Sequence, residues 1–214
     1  MSQKISYAQN FEDVMLWRAL GHVEGGRYID IGAQSPDVDS VSKLFYEQGW
    51  RGIHVDASAK YAEELRAARP DELVVQAAVT AEGGMLQFYE VPGTGLSTLL
   101  SEVAAKHAEL GFSVVETNAP AVTLCDLFGL VGEGPVHWLK IDVEGAEWDS
   151  FLAAPDRVLE QIDQLTVEFH WLSDEKVGWV QSDKYLRVVQ RLKQFFEVAH
   201  IHFNNASCIE EHLA

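Results

Sequence analysis

The sequence predicts an α/β domain, a mostly parallel, doubly wound sheet with helices on both faces. Short apolar runs suited to buried strands alternate with segments whose apolar residues recur at helical spacing. Crossovers of that kind return the chain parallel to the strand it left and cover both faces of the sheet. Polar residues also collect at the C-terminal ends of the apolar runs, where an open parallel sheet binds its ligands.

The elements follow in chain order. "QNFEDVMLWRAL" (9–20) is an amphipathic helix expected to pack through Phe11, Met15, Leu16 and Leu20. "RYIDIGA" (27–33) is a strand. Val41, Leu44, Phe45 and Gln48 then share one helical face, with Asp39 or Ser40 as a cap and Gly49 as a stop. "GIHVDA" (52–57) is the next strand, followed by a helix capped by Ser58, with Tyr61, Leu65 and Ala68 inward and Pro70 beyond its end. "LVVQAAV" (73–79) reads as a third strand. The rhythm then changes: "MLQFYEV" (85–91) alternates like a half-exposed strand, "PGTGLST" (92–98) is a loop, "LLSEVAAKHAEL" (99–110) a helix, and "APAVTLCDLF" (119–128) a short strand entering a helical turn. Regular alternation resumes with a strand at "VHWLKIDV" (136–143), a helix from Ala146 to Ala154 stopped by Pro155, and a strand at "QLTVEFH" (164–170). A helix through Tyr185, Leu186, Val189, Leu192 and Phe196 precedes a sixth strand, "EVAHIHF" (197–203).

Bulk properties narrow the function. The 214 residues suffice for one domain with a substantial core and are short for two. Lys+Arg 16 against Asp+Glu 33 gives a net charge of −17, which disfavours nucleic acid and anionic membrane as partners, since cationic patches bind both. No apolar run approaches the roughly 18 residues of a membrane span. The opening "MSQKISYAQNFED" lacks the apolar stretch of a secretory signal, and Cys125 and Cys208 form neither a metal spacing nor a disulfide framework. A reducing, cytoplasmic location is expected. Nothing in the sequence fixes an oligomeric state.

The strand ends present Asp30, Gly32 and Gln34; Asp56; Asp142 and Glu144; Glu168 and His170; and His202 with Asn204. In "DIGAQSPD" (30–37) a single glycine follows the strand, and it either admits a ligand close to the backbone or makes a tight turn. A dinucleotide fold would carry G-x-G-x-x-G to seat a pyrophosphate on a helix N-terminus, so an NAD-dependent oxidoreductase is disfavoured. Two acids in this turn favour a zwitterionic or cationic ligand. Asp56 suits either the ribose hydroxyls of a nucleoside or the capping of the helix after it.

The segments "SYAQNFEDVMLWRAL", "YIDIGAQSPDVDSVSKLFYEQGWRGIHVDAS", "AAVTAEGGMLQFY", "VTLCDLF" and "LKIDVEGAEWDSF" occur in that order. Together they resemble the FkbM family of S-adenosylmethionine-dependent methyltransferases across nearly the whole chain. The resemblance implies a Rossmann-like class I methyltransferase fold, S-adenosylmethionine as methyl donor, and a hydroxyl of a small molecule, sugar or glycan as acceptor. By position, Asp30, Gly32 and Gln34 would line the methionine end, Asp56 the ribose, and Ala77 and Ala78 the adenine. The loop after Asp142 would close over donor and acceptor, and residues 1–26 would form a helical lid on a methyltransferase domain spanning 27–214. Asp56 stands where many relatives carry Glu. The fold would also add a last antiparallel strand. The sequence stops at "EEHLA", so that strand is expected to be missing or that edge differently built.

Transfer to oxygen needs an acceptor held in line and a group to take its proton. His170 suits a general base, with Asp142 and Glu168 beside it. Asp142, Glu168 and His170 fall at two strand ends, and residues 168 and 170 share a side of their strand. That arrangement resembles the magnesium site of catechol-type methyltransferases, so a divalent cation, Mg²⁺ or Mn²⁺, is the second route to an activated hydroxyl. Its alternative is that Glu168 only orients His170. In "LKIDVEGAEWD" (139–149), Asp142 is expected to face the reaction and Glu144 the donor's amino group or the acceptor. Glu147 is expected to support the following helix and Asp149 to be solvated. Trp171, Trp179 and the 92–98 loop are candidate acceptor contacts. His200, His202 and Asn204 share one strand face. A non-catalytic nucleoside-binding scaffold is the remaining alternative to a methyltransferase.

Overall fold

The structure, a computed structural model, describes residues 5–167 and 183–196. At its centre is a five-stranded sheet, all parallel. The strands are β1 (Arg27–Ile31), β2 (Arg51–Asp56), β3 (Leu73–Gln76), β7 (Val136–Ile141) and β8 (Ile162–Val167), in the order β3-β2-β1-β7-β8. β1, the central strand, is buried on both faces from Tyr28 to Ile31, which is why it is apolar apart from Arg27 at its start and Asp30.

Period-two alternation divides the side chains between two cores. Ile29, Ile31, Ile53, Val55, Leu139 and Ile141 pack beneath α5 (Leu124–Val131), α6 (Glu147–Ala153), α7 (Asp156–Leu159) and α8 (Asp183–Phe195). Tyr28 and Trp138 turn the other way, under α1 (Glu12–Leu20) and α2 (Val41–Glu47). There the two rings stack at 4.5 Å with an interplanar angle of 4°, and Phe45 meets Trp50 edge-on at 4.9 Å. Such pairs add about 0.5–1.5 kcal/mol each beyond the area they bury. α3 (Ala59–Ala68) covers the β2–β3 edge through Ala62 and Leu65, packed with Ala33 and Val74.

Three sequence expectations change. "LVVQAAV" is two strands: after Gln76 the Ala77 N–H makes a last bond to Asp56 O at 3.0 Å, and β4 (Ala78–Val79) leaves for another sheet. That sheet, β4-β6-β5, pairs β4 with β6 (Val115–Val122) in parallel, and β6 with β5 (Gly84–Glu90) antiparallel. β6 begins earlier than its apolar pattern: residues 115–118 are exposed and are held by backbone pairing to β5, with one side-chain bond from Gln87 Nε2 to Glu116 at 2.9 Å. In α1 the inward residues are Asp13, Leu16 and Leu20, while Phe11, the N-cap, is 65% exposed and Met15 43%. Asp13 is buried because it accepts from Ser6 Oγ, Tyr7 N and Ala8 N, tying down the chain ahead of the helix. α1 packs on α2, and among the described residues nothing before Ile31 lines the cleft described below. The sixth strand expected at 197–203 lies outside the described residues. No helix among the described residues is long and apolar enough to cross a membrane.

Candidate functional site

β1 continues to β2 on one side of the sheet and has β7 on the other, so the loops leaving β1 and β7 diverge and open a crevice at their C-terminal ends. A cleft of about 100 Å³ lies there, partly open to solvent. Its walls include Gly32 and Gln34 after β1, Asp56 and Ser58 after β2, Ala77 and Ala78 between β3 and β4, and Asp142 and Glu144 after β7. Phe88 and Leu99 add apolar surface.

The β1 exit is shaped by backbone contacts. Gly32 has φ 70°, and a Cβ there would overlap the Asp142 carbonyl oxygen. Its missing side chain is therefore required by the neighbouring strand exit, whatever else it admits. Gln34, at φ 50°, donates its N–H to Asp56 Oδ2 at 2.9 Å, and Ser58 N donates to Oδ1 at 2.8 Å. Asp56 thus serves as a local cap and still faces the cleft, with lone pairs left on both oxygens for hydroxyl donors. Ser58 stands at the N-cap of α3 but donates its hydroxyl to Glu90 at 2.6 Å, across to β5.

Burial pushes the Asp56 carboxyl up to about 6, against the pull of the two backbone N–H groups and Lys140. Its unfolded value is about 3.9, so the folded value is raised. The stability contributed by protonated Asp56 is present below pH ~4 and is lost as pH rises through about 6. Urea midpoints measured from pH 4 to 7 are expected to show this loss in the native chain and to flatten in Asp56→Asn.

The β7 exit carries the acids. Lys140 Nζ lies 3.1 Å from Asp142 Oδ2 and donates to Gly32 O at 3.0 Å. Glu144 adopts φ 53°, and its carbonyl accepts from Thr98 Oγ1 at 2.8 Å. Glu147 does more than favour the helix dipole. Its fully buried carboxylate accepts from Gly145 N at 2.9 Å and Val143 N at 3.2 Å, closing the loop that presents Asp142 and Glu144. Glu147→Ala leaves two inward-facing N–H groups unsatisfied. A loss of about 2–3 kcal/mol in urea unfolding is expected, with Glu147→Gln losing less. Asp149 is exposed, as expected.

A strap from the second sheet roofs the cleft: Thr94, Gly95 and Ser97 line it, within the loop expected to touch the acceptor. Tyr61 Oη donates to Thr94 O at 3.1 Å and lies 3.4 Å from Gln34 Nε2. The sequence placed Tyr61 on the inward face of a helix, and its polar tip was not legible there. Asp30 departs from expectation: 1% exposed, it sits beneath the cleft wall beside His54 and Lys140. Glu168, His170, Trp171, Trp179, His200, His202 and Asn204 lie outside the described residues. Of the residues proposed to bind a metal, only Asp142 is therefore described, and no group of three metal-binding side chains occurs among the described residues.

The family model described as methyltransferase FkbM domain matches residues 30–201. The chain belongs to that family. No curated protein and no solved structure matches it. The five-stranded parallel sheet is the Rossmann-like architecture such a methyltransferase requires, and the family implies S-adenosylmethionine as donor. The charge of the FkbM cleft suits that molecule. Its wall carries Asp56, Asp142 and Glu144 and, among the described residues, no Lys, Arg or His, which suits a cationic donor without phosphate.

Proposed function

We propose that this FkbM methyltransferase transfers a methyl group from S-adenosylmethionine to a hydroxyl of a small molecule, sugar or glycan. The observation that supports this best is the acid-lined cleft at the switch point of the parallel sheet. When bound, the donor supplies an electrophilic methyl group on a sulfonium centre. The residues that would hold it are Gly32 and Gln34 at the methionine end, Asp56 at the ribose, and Ala77 and Ala78 at the adenine. Asp142 and Glu144 face the cationic portion or the acceptor, and the Thr94–Ser97 strap excludes water from above. His170 is the proposed base for the acceptor proton, with Asp142 and Glu168 orienting it or sharing a divalent cation with it.

Calorimetric titration with S-adenosylhomocysteine, with NAD⁺ as the comparison ligand, tests the donor. Binding of the former alone near micromolar affinity, about −8 kcal/mol, is the expected result. Binding of NAD⁺ in its place sinks the reading. A ribose hydroxyl bonds best to ionised Asp56, so affinity is expected to rise from pH 5 to 7 around a midpoint of about 6. Incubation with a labelled donor and a panel of neutral glycans and small alcohols then addresses the acceptor.

A further inference from the structure

The pairing register sets His54 of β2 opposite Asp30 of β1, and Asp30 opposite Lys140 of β7. Three ionisable side chains therefore form one row across three adjacent strands, on the face of the sheet below the cleft. Asp30 and His54 are buried, with Asp30 Oδ1 and His54 Nδ1 lacking a hydrogen bond among the described residues. Glu72 anchors the far end of the row, 2.8 Å from His54 Nε2. At the near end, Lys140 Nζ lies 3.8 Å from Asp30 Oδ1.

Lys140 is 14% exposed, and its head makes closer contacts upward than downward: Gly32 O at 3.0 Å and Asp142 Oδ2 at 3.1 Å. Those two groups belong to the two strand exits that diverge to form the cleft. A single cation thus ties both walls together at the switch point, while the buried carboxylate beneath supplies a counter-charge. A buried charge needs such a partner, and here each ion offsets the other's desolvation.

We infer that Lys140 is a positioning residue of the donor site: it holds the Asp142 carboxylate against the Gly32 turn, with Asp30 as its counter-charge. This rests on the methyl-transfer reading above. Lys140 also acts on Asp56, favouring its ionised form, whereas Asp30 opposes it. The other groups around Asp56 are Asp142 and Glu144 in the cleft wall, Tyr61 on α3, and Glu90 through Ser58.

The test is titration of the full chain with S-adenosylhomocysteine from pH 5 to 8, in the wild type, Lys140→Met, Lys140→Arg, Asp142→Asn and the Lys140→Met/Asp142→Asn double variant. Lys140→Met is expected to bind about tenfold more weakly, with its pH midpoint moved upward. Lys140→Arg should restore most of the affinity and the midpoint. The double variant should be no weaker than the poorer single one, because both changes break one linked unit. Should Lys140→Met fail to fold, Lys140→Gln, which keeps a donor without the charge, makes the same comparison. Binding within twofold of wild type, additive losses, or no rescue by arginine overturns the inference and leaves the donor reading intact. Failure of the wild type to bind overturns the donor reading itself, and this inference with it.

Discussion

Gly32→Ala is expected to destabilise the protein by about 2–5 kcal/mol and to abolish binding of S-adenosylhomocysteine. Two costs add. At φ 70° an L side chain is strained by about 1–2 kcal/mol. The new Cβ would also overlap the Asp142 carbonyl oxygen, a backbone atom of the adjacent strand exit that cannot rotate away. Relief requires that the β1 and β7 exits separate. Asp142 N, which donates to Ile31 O at 3.2 Å, and Lys140 Nζ, which donates to Gly32 O, hold them together. Overpacking of this kind costs about 1–3 kcal/mol more. For a chain of this length, the combined effect corresponds to a fall of roughly 4–20 °C in melting temperature. A Gly32→Ala variant melting within 2 °C of the native chain, with unchanged binding, would show that the two exits are not rigidly joined.

Glu72→Ala is expected to cost a similar 3–5 kcal/mol, although the residue is remote from the cleft. Its side chain is fully buried and accepts from Tyr28 Oη at 2.6 Å, Gly52 N at 2.7 Å and His54 Nε2 at 2.8 Å, with Arg69 at 3.8 Å. Burial, and then the Glu72 charge, keep the Tyr28 phenol well above its usual range, so it remains a donor. Alanine strands all of these groups in the interior at once. Glu72→Gln keeps an acceptor and is expected to lose about half as much. Urea unfolding of both variants decides the matter: equal losses would place the effect in side-chain packing rather than in the acceptor.

The two predictions concern residues of opposite legibility. Gly32 stood out in the sequence because a glycine after a buried strand marks a turn or a close approach. The sequence could not say that the approaching group was a protein carbonyl rather than a ligand. Glu72, in "RPDELVV", immediately precedes the strand expected at 73–79. Nothing local marks it as the acceptor for three donors drawn from β1 and β2. The same holds for Glu147, read as a helix-dipole partner and found to be the acceptor that closes its own preceding loop. Asp30 and Asp56 were both expected among the strand-end acids, Asp30 at the methionine end and Asp56 at the ribose or as a cap. Asp56 ends β2 and lines the cleft, whereas Asp30 stops short of the end of β1 and points into the layer below.

By itself the sequence determined the α/β class, the parallel central sheet, the gathering of polar residues at its strand ends, and the FkbM family. Each depends on periodicity, on residue type at strand ends, or on motif order, which are properties of neighbouring residues along the chain. Only the tertiary structure decided that "LVVQAAV" divides between two sheets, that β6 extends through polar residues, and that Lys140 joins the two cleft walls. The reason is physical: backbone pairing carries no side-chain signature, and a charge finds its partner only when strands far apart in sequence are set side by side. In this protein that register places Asp30 between His54 and Lys140.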